Sequence, residues 1–339
     1  MPQTNKTATR EYGDSPLSAE KPSLRRRIGA TNGAGLIFAF LLLFVGLSIA
    51  NEQFFTLENM MTVLRQAVFV AIVAYGMTFV IAMGGIDLSV GAIIAVSGVV
   101  VAHLMTIGVN IYLAIVAALI SGIVVGAISG VFIAVCGIPD FIVTMAMMSV
   151  VRGAVQVFTK GVPIYGLAYP EFAFLAQGYL GPLPFPILLA VIMFVICYYV
   201  LNHTSLGRYV ISVGSNVESA RLVGIRIRRI KIIVYSICGL MAAFSGVLIT
   251  SRLTTAVPDA GTGYEMDAIA ATVIGGTSLS GGKATLFGTA LGAVLMALVR
   301  NGLNILNINT FWHQVVIGTI VLIAVGMDVL STKYSGTDR

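Results

Sequence analysis

Few residues in this chain could do chemistry, and they sit in apolar company. Asp87 stands in Met83–Ile94, MGGIDLSVGAII, a carboxylate in a largely apolar stretch with glycines on both sides. Nearly the same string returns as Ile274–Thr285, IGGTSLSGGKAT, with Ser278 where the acid stood. An ionisable group in membrane-type sequence is a functional candidate by default, because burying its charge is costly. The rival reading is structural: Asp is a preferred N-cap, and the residues from Gly91 onward read as helix. Both readings use the same geometry, and the sequence leaves them open. The densest acid group is Asp259, Glu265 and Asp267. These could meet a polar solute or a soluble partner; for Asp259, solvated loop charge is an equally plain reading.

Other chemistries find little support. His103, His203 and His313 are scattered without ligand-like spacing. Cys136, Cys197 and Cys238 all lie in apolar runs, where thiols behave as small hydrophobes rather than as a disulfide framework or a metal site. An intramembrane enzyme would need a nucleophile–base pair or metal ligands, and no such constellation is present. Thr277–Ala284, TSLSGGKA, resembles a phosphate-binding loop only at Gly282-Lys283. Thr277 replaces the first glycine and Ala284 the magnesium-binding hydroxyl, so no nucleotide is expected there. No cofactor is expected, and any ATPase must lie on another chain. A proton relay usually needs several intramembrane acids or histidines, more than are found here.

The elements that position these residues must cross a membrane. Of 339 residues, 58% are hydrophobic and 10% charged, against about 25% charged in a soluble domain. The net charge of +6 does not point to nucleic acid, because the positives cluster at membrane boundaries. Lys6, Arg10, Lys21 and Arg25–Arg27 precede the first apolar run. Arg208, Arg221, Arg226, Arg228, Arg229 and Lys231 share one later segment with a single acid, Glu218. Such asymmetry assigns both segments to the cytoplasm.

With about 20 apolar residues per crossing as the yardstick, spans fall near 33–50, 67–83, 92–108, 111–136, 141–158, 186–201, 232–250, 267–280, 284–303 and 311–329. The run at 33–50 is too long for the h-region of a signal peptide, usually about 7–15 residues, and reads as an uncleaved first helix. The expectation is therefore an all-α polytopic membrane protein with about ten transmembrane helices, both termini cytoplasmic. A polar tail at 1–32 reads as disordered. Residues 33–330 form the transmembrane domain, 202–231 a cytoplasmic loop within it, and 331–339 a cytoplasmic tail. Segments 159–185 and 251–266 fall outside.

The two glycine frames match as Gly84-Gly85-x-x-Leu88-Ser89-x-Gly91 and Gly275-Gly276-x-x-Leu279-Ser280-x-Gly282 at one constant offset. Glycine-interrupted apolar segments in the two halves of a transporter point to broken helices beside the path; common small-residue packing strings are the blander reading. The long cytoplasmic connection Thr204–Ser236 holds a short helix-like piece, Val217–Leu222, between Gly214 and Gly224. A charged rigid helix between flexible glycines suits docking into another protein. A basic loop that only sets topology and touches anionic lipid is the alternative.

These strings resemble one family: permease subunits of bacterial ABC importers for monosaccharides, the ribose/xylose/arabinose/galactose group. The likeness rests on GGIDLSVG (Gly84–Gly91), TSLGRY (Thr204–Tyr209), GSNVESARLVGI (Gly214–Ile225), GTGYEMDAIAA (Gly261–Ala271) and IGGTSLSGGK (Ile274–Lys283), and it is nearest the ribose permeases. Where the family usually has Asn-x-x-Ala-Ala, this chain has Asn216-Val217-Glu218-Ser219-Ala220, a conservative change in size. The resemblance implies an ABC importer permease fold in the bacterial inner membrane, working as a homodimer on cytoplasmic ATPase subunits and fed by a periplasmic sugar-binding protein. It makes Val217–Leu222 the coupling helix, with Arg208, Asn216, Val217, Glu218, Ala220, Arg221 and Leu222 as coupling residues. For the sugar path, position suggests Asp87, Ser89, Phe141, Thr144, Glu265, Asp267, Thr272 and Ser278. Which sugar is carried stays open. The alternative is a secondary sugar transporter driven by an ion gradient, with Asp87 as its coupling site.

Overall fold

The structure, a computed structural model, describes residues 32–336. The expected tail 1–32 thus lies outside the described residues except for Asn32. Of 331–339, helical backbone continues to Gly336 and the last three residues lie outside.

The described chain is almost entirely helical. In order come α1 (Asn32–Ala50), α2 (Leu57–Ala82), α3 (Val90–Thr106), α4 (Ile111–Val135), α5 (Asp140–Thr159) and α6 (Pro170–Gln177). A two-residue hairpin follows, β1 (Tyr179–Leu180) paired antiparallel with β2 (Leu183–Pro184). Then come α7 (Phe185–His203), α8 (Ser205–Ser215), α9 (Val217–Leu222), α10 (Ile227–Leu253), α11 (Tyr264–Ile274), α12 (Leu286–Ile305) and α13 (Thr310–Gly336). Seven helices are long and apolar enough to cross a membrane among the described residues: α2, α4, α5, α7, α10, α12 and the Phe311–Asp328 part of α13.

Every expected span has a helix at its place, but not every one is a crossing. The stretch 267–280 is the clearest correction. Its helix, α11, has 11 residues, which at 1.5 Å per residue reaches only about 16 Å, roughly half the hydrocarbon thickness. The glycine pair Gly275-Gly276 ends it, and residues 275–285 continue as turns. The helix α2 errs the other way. It begins at Leu57 rather than near 67, because its first turns, LENMMTVLRQ, carry Glu58 and Arg65 and escape an apolar yardstick. The two polar connections carry elements of their own: 159–185 holds α6 and the hairpin, and 202–231 holds α8 and, over the expected Val217–Leu222, α9.

Burial sorts the helices into an inner and an outer set. The run Ala67–Ala82 of α2 is buried on every side, the pattern of a helix fully enclosed by others. α10 and α12 are largely enclosed as well, whereas α4, α5, α7 and the apolar part of α13 leave most of their surface uncovered. Uncovered apolar side chains at these lengths are what a bilayer solvates. Close packing of the inner set uses small residues: Gly122, Gly126 and Gly130 line one face of α4, against Gly239, Tyr235 and Ile232 of α10. Without a hydrophobic drive between helices in lipid, such seams let backbones approach and gain dispersion contact.

Candidate functional site

The glycine frames turn out to be two helix ends of one design. α2 stops at Ala82, Met83 keeps helical dihedrals, and Gly84 turns left-handed with φ +85°. α11 stops at Ile274, Gly275 keeps helical dihedrals, and Gly276 turns left-handed with φ +92°. Each end closes with the same pair of bonds. Gly84 N–H donates to the Ile81 carbonyl and Gly85 N–H to Val80; Gly276 N–H donates to Val273 and Thr277 N–H to Thr272. This is a Schellman cap, which needs a left-handed residue that only glycine adopts cheaply. The structural match pairs Gly84 with Gly276, one residue out of step with the sequence frames.

Beyond each cap, the chain is pinned by a carboxylate from elsewhere. Ile86 N–H donates to Asp140 Oδ2 at 2.8 Å, from the first turn of α5, and the Tyr235 hydroxyl donates to the same oxygen at 3.4 Å. Leu279 N–H donates to Asp328 Oδ2 at 3.0 Å, from α13, and the Ser278 hydroxyl lies 3.4 Å from it. Asp87 itself is fully buried, and its Oδ1 accepts from Ser89 N–H at 2.9 Å and Ser89 Oγ at 2.6 Å. That arrangement is an Asx turn feeding the start of α3.

The two turns meet. Gly282 N–H donates to the Ala82 carbonyl at 2.9 Å, so the second turn satisfies a carbonyl left free at the end of α2. Gly214, near the end of α8, lies against both: a methyl added there would overlap the Ala82 carbonyl oxygen and crowd Gly282 N. Immediately after it, Asn216 caps α9 by accepting from Ser219 N–H at 2.8 Å. α9 forms over Val217–Leu222. Ala220 is its buried contact, and Glu218 and Arg221 pair at 3.0 Å on the exposed side. Leu222 and Val223 are 87% and 76% exposed, an apolar tip flanked by charge. Arg208 is exposed on α8, one helix earlier.

The path candidates do not gather in one place. Asp87, Ser89 and Thr144 gather at the first turn, where Thr144 Oγ1 donates to the Asp140 carbonyl at 2.9 Å. Ser278 lies in the second turn, and Thr272 is buried between α11 and α2, its hydroxyl bonded to Ala268 and near the Ala74 carbonyl. Glu265 and Asp267 sit at the other end of α11. Glu265 Oε1 accepts from Gly263 N–H at 3.2 Å, and Asp267 is buried against Arg300 at 2.5 Å. Phe141 is exposed on α5. Sequence reading missed Asp140, Asp328 and Arg300, and it named Gly214 only as a flank of the short helix, not as its seat. Asp140 did carry a signal, an acid directly after Pro139 at the start of an apolar run; the others have no local mark. Arg152 was also missed: it donates to the Pro258 and Ala260 carbonyls, bracing the connection that delivers α11.

A family model described as branched-chain amino acid transport system / permease component matches residues 59–325. The chain belongs to that permease family. Ribose import permease protein RbsC of Escherichia coli is 43% identical over 297 residues, covering 86% of this chain and 92% of that protein. The protein of the same name from Bacillus subtilis is 42% identical over 301 residues, 88% of this chain and 94% of that one. The L-arabinose ABC transporter permease protein AraH of Azospirillum brasilense is 37% identical over 297 residues, 88% and 87%. No solved structure matches. The chain is a multi-pass membrane permease component. The ion-coupled alternative falls away, since these relatives are named as a ribose import permease and an L-arabinose ABC transporter permease.

Proposed function

We propose that this chain is the membrane-spanning subunit of an ATP-driven importer for a neutral monosaccharide, with ribose the first substrate to test. In this reading it works as a homodimer in the bacterial inner membrane, both termini cytoplasmic. It receives sugar from a periplasmic binding protein and stands on separate ATPase subunits. The relatives supply the substrate class and the ABC setting. A neutral polyol also suits a chain whose path candidates are hydroxyls and a few acids rather than a cage of charge.

The geometry that carries the mechanism is the contact of Gly214 with both glycine turns. α9 presents Leu222, Val223 and the Glu218–Arg221 pair outward, where an ATPase groove can take them. Its base is joined through Gly214 and Ser215 to the ends of α2 and the turn after α11. A displacement of α9 on ATP binding therefore reaches, by backbone contact, the two segments whose caps break the path. Switching between packed arrangements of this kind is how small shifts become alternating access.

Co-purification tests the docking. Glu218→Arg places a like charge beside Arg221 and should release the ATPase subunit from the permease while leaving the permease folded. Retention of the ATPase at wild-type level would remove α9 as the docking element.

A further inference from the structure

At the end of the molecule opposite α9, two cavities adjoin. One measures about 440 Å³ and is lined by Arg65, Phe69, Gln177 and Arg252 among others. The second, about 310 Å³, shares Phe69 and Arg252 and adds Arg300 and His313. The lining comes from α2, α6, α10, α11, α12 and α13, so it is assembled by the whole fold rather than by one loop.

Its polar groups are held in place but not used up. Arg252 lies over the Phe69 ring at 5.3 Å, and Arg65 over the Tyr179 ring at 4.8 Å. Stacking of this kind fixes a guanidinium plane and leaves its N–H edges available. Among the described residues, neither arginine forms an ion pair with a carboxylate, while Arg300 pairs with Asp267. Arg65 Nε, Arg300 Nε and His313 Nε2 are buried with no hydrogen-bond partner among the described residues, and His313 is 7% exposed. Buried polar groups are nearly always satisfied, so unpaired atoms of Arg65 at the first cavity and of Arg300 and His313 at the second leave donors for a bound polar molecule. Gln177 spends its amide N–H on the Ser251 and Arg252 carbonyls, which leaves its oxygen as an acceptor.

We infer that these two adjoining cavities form a monosaccharide-binding site within the permease itself, so that the chain holds the sugar rather than merely passing it. The inference rests on the import reading above and adds a place to it. The lining offers guanidinium and imidazole donors together with amide oxygens. Hydroxyl groups, which both donate and accept, match that mixture; a simple anion only accepts. The site lies beside the start of α11, whose far end is the capped break.

Equilibrium binding of radiolabelled ribose to the full chain in lipid nanodiscs, without partner proteins, tests this. Saturable binding is expected, at least about tenfold weaker in Arg252→Gln, the loss of one charge-assisted hydrogen bond. Gln177→Leu should weaken it as well. Both side chains are exposed, so unchanged melting temperatures will separate lost binding from lost fold. Three outcomes overturn the inference: no saturable binding, binding equal in wild type and both variants, or binding of ribonate with none of ribose. Parallel ribose uptake by the assembled transporter keeps the two claims apart. Uptake without binding ends the cavity proposal and leaves import standing; binding without ATP-driven uptake does the reverse.

Discussion

At the level of single residues, half-buried carboxylates serve as anchors. Asp140 holds Ile86 N–H and Asp328 holds Leu279 N–H, one for each glycine turn. Asp140→Ala should therefore cost about 1 kcal/mol by stranding a half-buried N–H, whereas Asp140→Asn, which keeps an acceptor oxygen, should cost clearly less. Thermal unfolding in detergent will rank the two; equal losses would deny the anchor role. The Asp267–Arg300 pair is asymmetric, with Asp267 fully buried and the Arg300 side chain 30% exposed. Removing Arg300 leaves a buried, uncompensated carboxylate and should cost about 3 kcal/mol or more. Asp267→Asn leaves a cation that can reach water and should cost less. The same melting series tests this order. These partners were hidden from the sequence because each joins positions far apart in the chain, and no local spacing marks them. Asp87 was visible at once; its Oδ1 serves the turn through Ser89, while its Oδ2 is buried with no hydrogen-bond partner among the described residues.

At the level of elements, apolar length was a good guide to where helices lie and a poor one to whether they cross. α11 shows why. Its composition matches a span, but Gly275-Gly276 ends it after 11 residues, and only the glycine pair carries that information. The six-residue α9 was legible, because its flanking glycines and Asn216 mark both ends. Its seat was not, since the approach of Gly214 to Ala82 and Gly282 is a long-range backbone contact. Gly214→Ala should destabilise by about 1–3 kcal/mol, as overpacking does. Gly153, in the middle of α5 with open space around its Cα, is the matched control. Gly153→Ala should be neutral or stabilise by up to about 1 kcal/mol. Like effects for the two substitutions would mean that Gly214 is not a seat at all.

At the level of the whole molecule, enclosed helices sit inside and uncovered apolar helices outside, an arrangement already implied by a chain that is 58% hydrophobic and 10% charged. Its orientation is open to a direct check. Cys136 is exposed at the end of α4, while Cys197 and Cys238 are buried. With both termini cytoplasmic, a membrane-impermeant maleimide should label Cys136 in inside-out vesicles and not in right-side-out ones. Labelling in the reverse pattern would invert the proposed topology. The most direct measurement is ribose uptake into vesicles holding this chain, its ATPase subunit and the binding protein, with ATP and ion gradients varied separately. Uptake that requires ATP hydrolysis and the binding protein, and ignores proton and sodium gradients, is the predicted result. Uptake that proceeds without the ATPase and follows an ion gradient would contradict it.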